Sequence, residues 1–244
     1  MPARVLPLLV LWLGSLTSPA GAQPRPSPLR PVHTFSIVAR DSATGQLGVA
    51  VQSHWFSVGS IVTWAAPGVG AVATQSFVEP SYGPLGLGLM RAGKTAGQAL
   101  AALLKADEHP DVRQVAMVDA RGDVAVHTGA NAIREACDST GAGFSVQANL
   151  MLNPTVCAAM FRAYTNTSRD LAERLMSALE AAQGEGGDIR GKQSAALLVV
   201  SGAPGGQRRS RPAVLGRARL RPPDRGPPGT REGAAPAADP RPGV

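Results

Sequence analysis

Aromatic residues, cysteine and histidine are all scarce in this 244-residue chain, and each shortage excludes something. Aromatics make up only 4% of the sequence, so a core must be built from Val, Ala, Leu and Ile, whose compact side chains suit close packing of sheets and helices. The four histidines, His33, His54, His109 and His127, are scattered, none at helical i, i+4 spacing and none beside a cysteine or second histidine. That pattern argues against a zinc site, and nothing else calls for a metal or cofactor. No Gly-x-Ser-x-Gly elbow is present, which removes the usual marker of a Ser-His-Asp hydrolase. No apolar stretch reaches the ~20 residues of a membrane helix, so no membrane span is expected.

The two ends differ in composition from the middle. Met-Pro-Ala-Arg, an apolar run from Val5 to Leu16 and a polar stretch closing on Ala20-Gly21-Ala22 read as a secretory signal peptide over residues 1–22. The mature protein would then start near Gln23, outside the cytoplasm, secreted or periplasmic, with a Pro-rich linker over residues 23–33. The net charge of +7 invites a nucleic-acid partner. However, nine arginines against Asp224, Glu232 and Asp239 put +6 of it beyond Gly205. What remains is near neutral, so no nucleic-acid partner is expected. Residues 205–244, rich in Arg, Pro, Gly and Ala, have no apolar periodicity and cannot build a core. They read equally as a disordered basic tail or as the product of a frameshifted GC-rich gene.

The middle alternates strand and helix signals. Thr34 to Arg40 and Leu47 to Ser53 are β-rich around the turn residues Asp41 to Gly45, giving a hairpin. Ile61 to Trp64 and Val69 to Gln75 repeat the scheme around Pro67-Gly68. Helices follow at Leu85 to Ala92 and, capped by Thr95, through Leu104. A second hairpin spans Arg113 to Asp119 and Asp123 to Thr128. Thr155 to Tyr164, behind Pro154, and Leu171 to Ala182, capped by Ser168, read as helices. The apolar run Ser194 to Val200 reads as a central strand buried on both faces. Helices that follow strand groups in this order suit an α+β, four-layer αββα sandwich of two stacked antiparallel sheets. A one-sheet α+β fold fits the pattern too.

Six segments carry a resemblance. Thr34-Phe-Ser-Ile-Val-Ala-Arg-Asp41, Gly48-Val-Ala-Val-Gln-Ser-His54, Gly70-Ala-Val-Ala-Thr-Gln75, Pro80-Ser-Tyr-Gly-Pro84, Gly143-Phe-Ser-Val-Gln-Ala-Asn149 and Gly187-Asp-Ile-Arg-Gly-Lys-Gln-Ser194 resemble, in order and spacing, the domain of unknown function 1028 (DUF1028) family. The likeness runs from Thr34 to about Gln207. It implies an αββα fold like that of N-terminal-nucleophile (Ntn) hydrolases, found mostly in prokaryotes, with an activity that the family name leaves open. Where relatives continue into a further strand, an Asp-Asp stretch and a helix, this chain has its Arg/Pro tail, which would leave a sheet edge uncovered.

Ntn hydrolases cleave amides with a Thr, Ser or Cys whose own free amine, of pKa about 8, serves as base. The resemblance puts Thr34 in that role, provided that a second cut at His33-Thr34 frees its amine, since cleavage after Ala22 alone leaves it blocked. It also brings polar strand ends to one cleft as oxyanion-type donors: Gln52, Ser53 and His54; Thr74, Gln75 and Ser76; Gln147 and Asn149; Asp188, Arg190, Gln193 and Ser194. His54, Arg190 or Lys192 would supply positive charge beside the nucleophile. The bland reading makes Asp188–Arg190 a turn salt bridge and has the amide side chains satisfy backbone groups.

Cys137 and Cys157, an even pair in an exported protein, read as a disulfide or as two buried thiols. Asp107-Glu108-His109 reads as a solvated loop. Asn166-Thr167-Ser168 matches a glycosylation sequon that matters only in a eukaryotic host. Three functions follow: an Ntn-type amidase acting on a small amide or peptide, a non-catalytic binding module of the cell envelope, and a structural or homo-oligomer-forming secreted protein.

Overall fold

The computed structural model describes residues 29–204. The expectations for the signal peptide, for residues 23–28 and for the tail from residue 205 lie outside the described residues. Among the described residues no helix is long and apolar enough to cross a membrane.

The first hairpin shows why these residues fold as they do. Asp41 Oδ1 accepts the N–H groups of Ala43 and Thr44 at 2.7 and 3.0 Å. Gly45 takes the left-handed conformation that closes the turn (φ 71°). This pairs β2 (Thr34–Arg40) with β3 (Leu47–Ser53) in the register Thr34 to Ser53 through Arg40 to Leu47. Around them a five-stranded antiparallel sheet runs β10 (Ser194–Val200), β3, β2, β9 (Phe144–Ala148), β8 (Cys137–Gly141).

A second five-stranded sheet has the order β1 (Arg30–Val32), β5 (Gly70–Val78), β6 (Arg113–Asp119), β7 (Val124–Thr128). Its fifth strand, β4 (Thr63–Ala66), pairs with β5 over Gly70–Ala73. Because β6 pairs with β5 on its other side, β4 and β1 share one edge of β5.

Period-two alternation divides the strands among three apolar layers. Val38, Val49, Val51, Ala73, Ala116 and Val118 meet between the sheets. On the opposite face Phe35, Ile37 and Val146 pack with Met160 of α4 (Val156–Asn166) and Leu175 of α5 (Leu171–Gly184). Val72, Val115 and Met117 pack with Leu87 of α2 (Tyr82–Arg91) and Leu100 of α3 (Ala96–Ala106). The result is a four-layer αββα sandwich, and the one-sheet alternative is excluded. A disulfide between Cys137 and Cys157 ties β8 to α4.

Several local expectations are corrected. Residues 59–62, read partly as strand, form one helical turn, α1 (Gly59–Val62), as Ser57 and Val58 carbonyls collect the N–H groups of Ser60, Ile61 and Val62. The cap of α5 is Asp170, not Ser168: its carboxylate accepts from Glu173 N at 2.9 Å, a favourable place for negative charge. Strand β10 is an outer strand of its sheet among the described residues and half-buried rather than central, so its run of apolar residues reflects two packed faces with one open edge. The segment before Thr34, read as linker, contains β1. Asp107 is not solvated: it is buried against Arg113 at 2.8 Å and accepts from Tyr82 Oη at 2.9 Å, while Glu108 and His109 are exposed.

Candidate functional site

The chain changes sheets within one residue. Val32 ends β1 in one sheet, His33 bridges the gap, and Thr34 opens β2 in the other. This crossing lies at the sandwich end where β3 finishes and the 187–193 loop returns toward β10. Thr34 is fully buried, and its Oγ1 donates back to the Val32 carbonyl at 3.1 Å.

The His33 carbonyl, which belongs to the peptide bond preceding Thr34, is held by two side chains. Ser53 Oγ donates to it in a short hydrogen bond, and Arg190 Nη2 donates at 3.3 Å. Asp188 aims the guanidinium, accepting from Arg190 Nε at 3.0 Å and from Nη2 at 2.7 Å. It also accepts the His54 N–H at 3.1 Å, which fixes the end of β3. Burial pushes the Asp188 carboxyl up, but the Arg190 guanidinium and the Arg190 and His54 N–H groups outweigh it and hold it below the usual range. Burial first, and then the positive charge of Arg190, pulls the His33 imidazole pKa down, which favours its neutral form.

Beneath the crossing lies a polar cluster between the sheets. Gln75 Nε2 donates to the Thr34 carbonyl at 3.3 Å and to Gln114 Oε1 at 2.7 Å, while Gln75 Oε1 accepts from Ser36 Oγ at 2.6 Å. Gln147 Nε2 donates to Ser36 Oγ at 2.6 Å, and Asn149 Nδ2 to Gln114 Oε1 at 3.0 Å. Gln114 Nε2 turns to the carbonyls of Cys137 and Ala148. Such a network holds its members in one arrangement. Asn149 lies one step beyond the Phe35–Ala148 pair, opposite Thr34, and its N–H donates to the Thr34 carbonyl at 3.0 Å. Its Oδ1 is buried with no hydrogen-bond partner among the described residues.

Two non-glycine residues of the crossing, Ser76 (φ 68°) and Leu150 (φ 56°), occupy the left-handed region. Ser76 pairs with Val32, and Leu150 follows Asn149. Strain of this kind persists where the surroundings over-determine it, and it gathers at working sites.

The structure therefore gathers Thr34, Ser53, His54, Gln75, Ser76, Gln147, Asn149, Asp188 and Arg190 around the crossing. It does not gather the rest. Gln52 shares its face of β3 with Ala50, on the helix side, where both amide atoms lack partners. Thr74 likewise faces away, and its Oγ1 donates to the Glu79 carbonyl at 3.3 Å. Lys192 and Gln193 are exposed, and Gln193 contributes only its N–H, to the Ser53 carbonyl at 3.2 Å. Ser194 secures the loop after His54, donating to the Trp55 carbonyl at 2.6 Å and accepting from Val58 N at 3.0 Å. Asp188–Arg190 is indeed a turn salt bridge, but one whose guanidinium also reaches the His33 carbonyl. Ser36 and Gln114 were missed: Ser36 is a small polar residue between Phe35 and Ile37, and Gln114 follows Arg113 at the start of its strand, so neither stands out as a site residue.

Fold and site together define a two-sheet α+β sandwich with a buried threonine at its inter-sheet crossing and two donors on the carbonyl before it. The chain belongs to the family of unknown function DUF1028, whose model matches residues 34–217. It is similar to a crystallised DUF1028 protein of Silicibacter pomeroyi, with 30% identity, a TM-score of 0.65, and coverage of 69% of this chain and 74% of that one. A structure of Anbu (ancestral beta-subunit) from Yersinia bercovieri also aligns, over 69% of this chain and 81% of that chain, with 10% identity and a TM-score of 0.32, too low to support an argument. No curated protein matches the chain.

Proposed function

We propose that the chain is the precursor of an amide-bond hydrolase of N-terminal-nucleophile type that frees its own Thr34. The observation that carries this reading is the His33 carbonyl, held by Ser53 Oγ and Arg190 at the very peptide bond whose cleavage would expose the Thr34 amine. Two donors on one carbonyl suit the oxyanion that forms when a nucleophile adds to it. Thr34 Oγ1 adds to the His33 carbonyl carbon, the C–N bond breaks, and the proton lost by the hydroxyl ends on the departing amine. The resulting ester is hydrolysed by water to a His33 carboxylate and a free Thr34 amine. That amine, with an ordinary pKa of about 8, then serves as base for Oγ1 in attacking a second amide. Asn149 Oδ1, buried opposite Thr34 and without a partner among the described residues, offers the new amine an acceptor. The match of the family model beginning at Thr34 accords with this boundary.

The reading sets the reaction outside the cytoplasm, as the signal-like N-terminus suggests, and a disulfide is at home in an oxidising compartment. A second reading, a non-catalytic envelope-binding module, is favoured by the burial of Thr34 and by the strand pairing of the segment before it. Hydrolysis of a panel of small amides and peptides by purified wild-type and Thr34→Ala chains separates the two. Turnover that requires Thr34 supports the hydrolase; absence of turnover from wild-type chain whose N-terminus is Thr34 supports the binding module.

A further inference from the structure

The segment just before Thr34 lies in the sandwich as a bound peptide would. Arg30, Pro31 and Val32 pair antiparallel with Val78, Phe77 and Ser76 of β5. Strand β4 covers the same edge only as far as Ala73, so among the described residues this slot is left to β1 alone. Arg30 and Pro31 are exposed, and Pro31, lacking an N–H, is tolerated because β1 is an outer strand among the described residues. Val32 is fully buried in the inter-sheet apolar layer with Val51, Val58, Val62 and Val78. Three residues paired along one edge and anchored by a single buried side chain make a short segment that can leave once it is cut from Thr34. Its departure bares the β5 edge at Ser76–Val78, where an extended chain adds readily.

The chemistry of the site links that slot to substrate. Self-cleavage passes through an ester in which residues up to His33 are the acyl group on Thr34 Oγ1. Attack on a substrate amide passes through an ester on the same oxygen, with the substrate's acyl part in place of that segment. The carbonyl donors are the same for both, so the chain upstream of the carbonyl follows the same path.

We infer that the slot filled by Arg30–His33 is the acyl-side binding site of the mature enzyme, and that it takes extended peptides with a compact apolar residue one position before the attacked carbonyl. This rests on the hydrolase reading for its catalytic meaning. The residue that carries the attacked carbonyl sits where His33 does, half-buried beside Arg190, and a neutral side chain suits that position better than a cationic one. Exposed Phe56, on the loop after His54, and exposed Ile189, between Asp188 and Arg190, add apolar surface on the two loops that frame the crossing.

The test uses the full-length chain with Thr34→Ala, which removes the nucleophile, with and without Val32→Asp, which loosens the built-in segment. The probe is the N-acetylated peptide Leu-Arg-Pro-Val-His, compared with the same peptide carrying aspartate for valine, by fluorescence anisotropy and thermal shift. The expected result is binding to the V32D/T34A chain that is about tenfold or more tighter for the valine peptide, the factor given by one buried apolar side chain. Binding of that peptide to T34A alone should be weaker, because the slot is occupied. If V32D fails to fold by circular dichroism, Val32→Ala replaces it. Equal binding of the two peptides, or none to a folded loosened chain, overturns the inference. Because no chemistry is possible in these variants, an amidase assay on the wild type can fail without touching this result. Conversely, Thr34-dependent hydrolysis indifferent to the upstream residue overturns the slot and leaves the hydrolase reading intact.

Discussion

At the scale of the residue, the account rests on two donors and the acid that aims one of them. Ser53→Ala and Arg190→Ala each remove one donor from the His33 carbonyl, and each should slow cleavage at His33-Thr34 by about 10²–10³-fold, the usual cost of one oxyanion donor. Electrophoresis or intact mass after timed incubation reads that rate. Asp188 makes a different prediction. Its folded pKa is depressed, so its contribution to stability is complete above the unfolded value of about 3.9 and is lost as pH falls through the lower folded value. Asp188→Asn should therefore lower Tm at pH 7, with the gap to wild type closing below about pH 4. A gap independent of pH contradicts the linkage. Ser53, Asp188 and Arg190 were legible in the sequence because polar residues that close or precede a strand stand out from apolar runs. Gln52 and Thr74 were misplaced because alternation tells which residues share a face but not which face meets the other sheet. Asp107 reads as solvated in the sequence because its partner, Arg113, lies six residues away across a 3₁₀ turn at Pro110–Val112.

At the scale of the element, close packing decides which substitutions are tolerated. A Cβ on Gly83 of α2 would run into the indole of Trp64 on β4, so Gly83→Ala, which raises helix propensity, should nonetheless destabilise, by about 1–3 kcal/mol as overpacking does. Denaturant unfolding checks the sign: stabilisation would show that α2 shifts freely on its sheet. The Cys137–Cys157 bridge spans 20 residues, so reducing it should cost about 3 kcal/mol by the chain-entropy argument, seen as a lower midpoint in urea with reductant. No change on reduction would show that β8 and α4 are held by packing alone. Hairpins and the Thr95 cap were readable because turn and cap chemistry is local; Thr95 Oγ1 accepts from Gln98 N at 3.1 Å in a full capping box. Strand β1 was not, since three residues including a proline carry no strand signal and form one only through β5. Nor was the outer position of β10, because an apolar run is the same in a central strand and in an outer strand packed on both faces.

At the scale of the molecule, three apolar layers give a rigid frame, and the polar cluster between the sheets occupies the end where the chain crosses from one to the other. The layering was legible in the order of strands and helices, because each helix pair is inserted between groups of strands. The cluster was legible only as a list of polar strand ends, since its geometry depends on the two sheets meeting in one register. In the proposed function this frame turns the peptide before Thr34 into a substrate of its own hydroxyl. Mapping the N-terminus of purified chain during incubation, beside Thr34→Ala, tests this most directly. The account predicts a species beginning at Thr34 that accumulates in the wild type, slows in Ser53→Ala and Arg190→Ala, and never forms in Thr34→Ala. A folded wild-type chain that keeps its upstream segment throughout, or one cut at His33-Thr34 equally well without the Thr34 hydroxyl, would contradict it.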